Sequence, residues 1–293
     1  MRTSHIVVGT DGSDGSRAAV RWAAGEAQRR GTPLHIVHAL DWEWHAARYN
    51  IGGEYLVEAR RHADDLIADA TAEARAVAPG VRIESHALVG SPAPRLMEAS
   101  ADADLLVVGN RGRGGFASLL LGSVSQRLGL HASCPVVVVR GHSETGPVAV
   151  GVDDSPAADQ VLEAAFTAAA GRGAGLAVIR TYLPPPPLWL AGNVAATEVE
   201  APEQDAIERE RLDHQVTPWR EKYPDVPVET MISHDSAAAV LVGVSNGAQL
   251  IVVGSRGHGA LAGTFLGSTG MQLLHHAECP VLIVRARVAE GAR

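Results

Sequence analysis

The chain has 293 residues, 46% of them apolar and 20% charged, which excludes a disordered polymer and leaves room for about two domains. A formal net charge of −8, from 25 Lys and Arg against 33 Asp and Glu, argues against general affinity for nucleic acid or an anionic membrane surface. No apolar run approaches the ~18 residues of a membrane span. The opening MRTSHIVVGTDGS lacks the pattern of a signal peptide, so the expected location is cytoplasmic.

In chain order, an apolar strand at residues 5–9 runs on to Asp11. Val20, Ala23, Ala24 and Ala27 then fall at helical spacing, with Ser13 as the N-cap and Gly31 as the stop. Residues 34–40 read as a second strand, followed by a loop carrying Trp42 and Trp44. A helix over about residues 54–78 ends at Pro79-Gly80. Residues 81–88 alternate as a third strand, and 91–101 form a short helix with Pro92 in its first turn. Strand four is LLVV (105–108), a helix covers 122–132, and strand five is PVVVVR (135–140).

A polar linker at 141–146 leads into the same order again. Residues 147–155 match the opening strand and its Asp, and Val161, Ala164, Ala165 and Ala168 mirror the first helix face. A strand at 176–183 runs into a stiff Pro-rich loop containing Trp189. A helix spans about 198–222, and the run Glu198, Glu200, Glu203, Asp205 and Glu208 reads as its solvated start, favoured by the helix dipole. Residues 226–233, 236–246 and 250–253 complete the set. Strands rich in Val, Ile and Leu alternating with helices predict a parallel sheet covered on both faces, in two units: residues 1–141 and 146–288.

The duplication is plainest in residues 104–140 and 249–285. Without gaps, 19 of 37 positions are identical at a constant offset of 145. Each copy carries Gly-x2-Gly-x9-Gly-Ser after an apolar strand: Gly109, Gly112, Gly122 and Ser123, then Gly254, Gly257, Gly267 and Ser268. A strand, a glycine loop and a Ser-headed helix start suit a phosphate. Converging backbone amides need a tight chain with no Cβ in the way, and the helix dipole favours an anion. Gly109 and Gly112 are expected to form the turn, with positive φ within reach. Arg111, Arg113 and Arg256 can reach phosphate or screen it, although each is equally read as a solvated loop charge. Asp11 and Asp153 would repel a triphosphate, so the expected role is at the far end of the ligand, on ribose hydroxyls. The alternative role is an N-cap-like turn Asp.

Other chemistries find no support. The P-loop motif, the kinase signature set and the nucleophile elbow are absent, and the histidines show no zinc-ligand spacing. Cys134 and Cys279 occupy equivalent positions before a strand and read as small apolar residues, not a disulfide.

A strand ending in V-G-x-D, the glycine motif after strand four and C-P-V before strand five together resemble the universal stress protein family, in particular its ATP-binding branch in tandem form. The resemblance covers residues 5–140 and 147–285. It implies two five-stranded α/β sandwiches, adenine nucleotide alpha-hydrolase-like, with strand order 3-2-1-4-5. That order puts the loops after strands one and four together, where winding reverses. By position it assigns Gly9, Thr10 and Asp11 to ribose and adenine, and Ala39 to adenine through its backbone. Gly109, Asn110, Arg111, Gly112, Arg113, Gly114, Gly115, Gly122, Ser123 and Val124 are assigned to phosphates. The second set is Gly151, Val152, Asp153 and Thr181, then Gly254, Ser255, Arg256, Gly257, His258, Gly259, Ala260, Gly267, Ser268 and Thr269. Three replacements, His258 for Arg113, Ala260 for Gly115 and Thr269 for Val124, leave every motif glycine in place.

The implied ligand is ATP, with Mg2+ held mainly by its phosphates. The implied partners are a second copy of the chain and a regulatory protein, with the two fifth strands pairing as an intrachain pseudo-dimer of domains. The expected role is a nucleotide-dependent regulator of stress or dormancy responses. A slow ATPase is the enzymatic alternative, but no residue is nominated to activate water, so at most weak hydrolysis is expected. The third reading is a structural interaction module that assembles through the apolar edges PVVVVR and PVLIVR.

Overall fold

The computed structural model describes residues 4–41, 53–113, 120–141, 145–183, 201–257 and 266–285. The chain divides into two compact units. The first holds Met1–Gly141, Thr264–Leu266 and Pro280–Arg285, and the second holds His142–Gly263, Gly267–Cys279 and Ala286–Arg293.

The first unit runs β1 (Ile6–Gly9), α1 (Asp14–Arg30), β2 (Leu34–Leu40), α2 (Gly53–Val77), β3 (Ile83–Val89), α3 (Pro92–Ala99), β4 (Leu105–Gly109), α4 (Ser123–His131) and β5 (Val136–Val139). Its sheet order is β3-β2-β1-β4-β5, and these strands pair in parallel. The central strands are buried on both faces, so they read as unbroken apolar runs: Ile6, Val7, Val8, Leu106 and Val107 are all at 0% exposure. Each such side chain contributes about 1.5–3 kcal/mol on leaving water. Helix α1 lays Val20, Ala23, Ala24 and Ala27 against β1 and β4, and all four are fully buried. Ser13 caps α1 by accepting from the Ser16 amide, and Gly31 ends it at φ 62°.

The second unit repeats the order with β6 (Val148–Gly151), α5 (Ala158–Ala170), β7 (Leu176–Thr181), α6 (Pro202–Lys222), β8 (Val228–Ser233), α7 (Ala237–Ser245), β9 (Leu250–Gly254) and α8 (Ser268–His276). Its described strands lie in the order β9-β6-β7-β8, all parallel. Relative to its repeat this is 4-1-2-3, four of the five strands expected. The fifth, β10 (Val281–Val284), belongs to the first unit, where it pairs antiparallel with β5 in the register Val281–Val138, Leu282–Val137 and Ile283–Val136. The reason is apolar: β5 is four consecutive valines, all buried, and its outer edge needs a partner. Arg285, next after β10, donates to the Gly129 carbonyl at 2.5 Å. Both cysteines are buried thiols that are not joined in a disulfide, and burial pushes the Cys134 thiol up.

One charge departs from the sequence expectation. Glu208 is not on a solvated helix start: it is 5% exposed and accepts from Arg180 Nε at 2.9 Å and Arg211 Nη1 at 2.7 Å. Arg180, on β7, also donates to Asp154 at 2.5 Å. A buried guanidinium requires such partners, and α6 supplies one. The Trp42, Trp44 and Trp189 loops and residues 142–144 of the linker lie outside the described residues.

Candidate functional site

In the first unit β1 lies between β2 and β4, so the winding reverses there and the strand ends part. A cavity of about 450 Å³ opens at that point. Gly9, Thr10 and Asp11 line it from β1 and the loop after it, Ala39 from β2, Gly109, Arg111 and Gly112 from the end of β4 and its loop, and Gly122 to Ser125 from the head of α4. Pro92 and Leu96 of α3 close the apolar side.

Asp11 is held tightly. Its Oδ1 accepts the Ser13 amide at 3.0 Å, and its Oδ2 accepts the Arg113 amide at 2.7 Å. Burial raises its pKa, but hydrogen bonds from Ser13, Arg113 and Ser16 outweigh burial and hold the carboxyl below its ordinary value. The glycines work by proximity. A Cβ on Gly112 would stand 2.3 Å from Asp11 Oδ2, and one on Gly109 would stand 2.5 Å from the Gly15 carbonyl carbon and oxygen. Neither glycine adopts positive φ; among the described residues of this region, Gly12 does, at 77°. Of the two properties of glycine that suit such a loop, the missing Cβ is the one these two positions use.

Helix α4 begins at Gly122, and no side chain caps it. Its first-turn amides thus keep their need for an acceptor, beside the cavity. Two bonds tie this helix head to the end of β4. The Gly122 amide donates to the Asn110 carbonyl at 2.8 Å, and the Ser125 hydroxyl donates to the Gly109 carbonyl at 2.6 Å. Arg111 lines the cavity. Arg113 does not: its guanidinium donates to His62 Nε2 on α2 at 3.2 Å.

The second unit holds a matching cavity of about 430 Å³. Asp153 Oδ1 accepts the Ser155 amide at 3.0 Å, and a Cβ on Gly257 would stand 2.9 Å from Asp153 Oδ2. Gly267 begins α8, again with no side-chain cap, and its amide donates to the Ser255 carbonyl at 3.0 Å. Its walls differ from the first. Val152, Ala158 and Gly270 stand where the first cavity has Thr10, Ser16 and Ser125, while Thr181 and Thr269 replace Ala39 and Val124.

Of the residues singled out from sequence, Gly9, Thr10, Asp11, Ala39, Gly109, Arg111, Gly112, Gly122, Ser123 and Val124 line the first cavity. Gly151, Val152, Asp153, Thr181, Gly254, Arg256, Gly257, Gly267, Ser268 and Thr269 line the second. Asn110 and Ser255 act through backbone carbonyls behind the loops. Gly114, Gly115, His258, Gly259 and Ala260 lie outside the described residues. Sequence reasoning missed Ser16, Ser125, Pro92 and Leu96. The signal for Ser125 was available, as it sits two residues beyond the motif's final Ser on the helix turn it heads. Among the described residues, no group of three or more His, Cys, Asp or Glu is placed to hold a metal.

Two doubly wound α/β units, each with a cleft at its switch point walled by glycine backbone and an uncapped helix start, define a tandem α/β protein with duplicated clefts suited to an anion. The model of the Universal stress protein family matches residues 3–140 and 145–285, and the chain belongs to that family. A universal stress protein of Mycobacterium tuberculosis is 34% identical over 296 residues, covering 96% of each chain. One from Mycolicibacterium smegmatis is 35% identical over 291 residues, covering 96% of this chain and 97% of its own. The crystal structure of a universal stress protein from Archaeoglobus fulgidus superposes with a TM-score of 0.72 at 20% identity, over 97% of this chain and 99% of that one, which establishes the likeness of fold. No helix among the described residues is long and apolar enough to cross a membrane.

Proposed function

We propose that residues 1–141 and 146–288 are two functional domains that each bind one ATP, and that occupancy makes the protein a nucleotide-dependent regulator of stress or dormancy responses. The observation that carries this is the pair of uncapped helix starts at Gly122 and Gly267, each facing a cleft whose glycines leave backbone exposed. Phosphates take the amides of Ser123 and Val124, or Ser268 and Thr269, with Arg111 and Arg256 beside them. The ribose lies against Asp11 or Asp153. A carboxylate has about four acceptor sites, so Asp11 keeps capacity for a ribose hydroxyl after its two amides. Adenine lies at Ala39 or Thr181. Mg2+ enters this reading as an ion carried mainly by the phosphates, since among the described residues no group of three or more His, Cys, Asp or Glu is placed to hold a metal.

A regulator needs two states with different affinity for ATP. In this reading the readout is assembly, through a homodimer and a regulatory protein partner, in the cytoplasm. The test is mass analysis of denatured, freshly purified protein and calorimetry with Mg-ATP. Two ATP per chain are expected. No nucleotide carried through purification, together with no heat on titration, refutes the proposal.

A further inference from the structure

The two clefts differ in how their phosphate ends are braced. In the first, the β4 end and the head of α4 are joined twice, by the Gly122 amide on the Asn110 carbonyl and by the Ser125 hydroxyl on the Gly109 carbonyl. Ser125 is 4% exposed, so its bond is shielded from water. In the second, Gly270 occupies the position of Ser125, and the hydroxyl brace is impossible. The remaining bond, from the Gly267 amide to the Ser255 carbonyl, is 3.0 Å against 2.8 Å in the first unit. Glycine in a first helical turn also leaves more backbone freedom to be lost when a ligand fixes it. The Asp side follows the same trend. Thr10 and Ser16 share a hydrogen bond at 3.2 Å in the first cleft, where the second has Val152 and Ala158.

We infer that Ser125 is a positioning residue for the phosphate end of the first cleft, and that the chain therefore binds nucleotide triphosphate unequally, tightly in the first unit and more weakly in the second. The inference rests on the nucleotide reading above. A loop already held in its binding geometry loses less freedom on binding, and that saving appears as affinity. Losing one buried hydrogen bond corresponds to about tenfold in affinity.

The experiment uses the full chain with one cleft disabled at a time. In a Gly267→Glu background, calorimetry with Mg-ATP reads the first cleft. Ser125→Ala should weaken ATP binding about tenfold, while Ser125→Thr, which keeps the hydroxyl, should stay near the parent. Adenosine, which has no phosphate, should bind Ser125→Ala and its parent alike; a general loss of structure would weaken both ligands. In a Gly122→Glu background, Ser125→Ala should leave the second cleft unchanged, and Gly270→Ser should tighten it. The inference is overturned if Ser125→Ala leaves ATP affinity unchanged, or if it weakens adenosine as much as ATP. If neither Gly122→Glu nor Gly267→Glu alters nucleotide uptake, the nucleotide reading itself fails.

Discussion

Gly109→Ala is the sharpest test of the reasoning about close approach. A Cβ there would stand 2.5 Å from the carbonyl carbon and oxygen of Gly15 and 2.9 Å from the Ser16 amide nitrogen. All three are backbone atoms at the head of α1, so no side chain can swing aside. Relief requires β4 and α1 to move apart, and overpacking of this kind costs about 1–3 kcal/mol. The equivalent Gly254→Ala meets the Arg256 carbonyl at 3.0 Å and a Val161 methyl at 3.4 Å, a milder crowding. Gly122→Ala meets nothing nearer than 3.4 Å. Urea unfolding of the three variants should therefore rank Gly109→Ala as the most destabilised, Gly254→Ala next and Gly122→Ala least. Gly109→Ala should also displace Asp11 and Arg113 and weaken nucleotide binding in the first cleft. Finding Gly109→Ala as stable as wild type, or Gly122→Ala worse than it, would refute the account of why these glycines are there.

Glu208→Ala should cost about 3–5 kcal/mol, because it strands the buried Arg180 guanidinium beside a single carboxylate; a loss below about 1 kcal/mol in urea unfolding would show the pair to be dispensable. Asp11 has a folded-state pKa below its unfolded value, so its stabilising contribution is present above the unfolded pKa and fades as pH falls through the folded one. Asp11→Asn should therefore flatten the acid limb of the stability profile, and an unchanged limb would count against those hydrogen bonds. Burial, then the neighbouring His5, hold His35 below its ordinary pKa; the two rings stack at 4.3 Å. The unfolded chain takes up that proton first, so stability should fall as pH drops through the histidine range, and His35→Gln should reduce the fall. Proton NMR of the His35 ring checks the shift directly. Tyr182 donates to Asp205 at 2.5 Å; burial, with this bond and its charge, pushes the phenol up to about 12. The difference in alkaline ultraviolet titration between wild type and Tyr182→Phe should show one phenol ionising there, and one ionising near the ordinary value would break the assignment.

The element order was legible because each repeat punctuates itself: Ser13 and Gly31 bracket α1, Pro79-Gly80 follows α2, and Pro92 opens α3. The clefts were legible because the glycine spacing occurs twice. What stayed hidden were relations between distant positions. Gly109 and Gly112 looked like turn glycines because a sequence gives spacing but not what lies opposite, which here is Gly15 and Asp11. Glu208 looked solvated because its neighbours on the helix are charged, while its partner Arg180 lies 28 residues away on β7. The placement of Val281–Val284 beside β5 followed from an apolar edge, but which compact unit would claim that strand could not be read from local pattern.

That strand carries a consequence for biogenesis. The first unit includes a strand that is translated only after most of the second repeat, so the valine edge of Val136–Val139 waits uncovered while the second repeat is still being made. A nascent chain released before residue 281 would carry that edge bare, and chaperone capture or aggregation would be its fate.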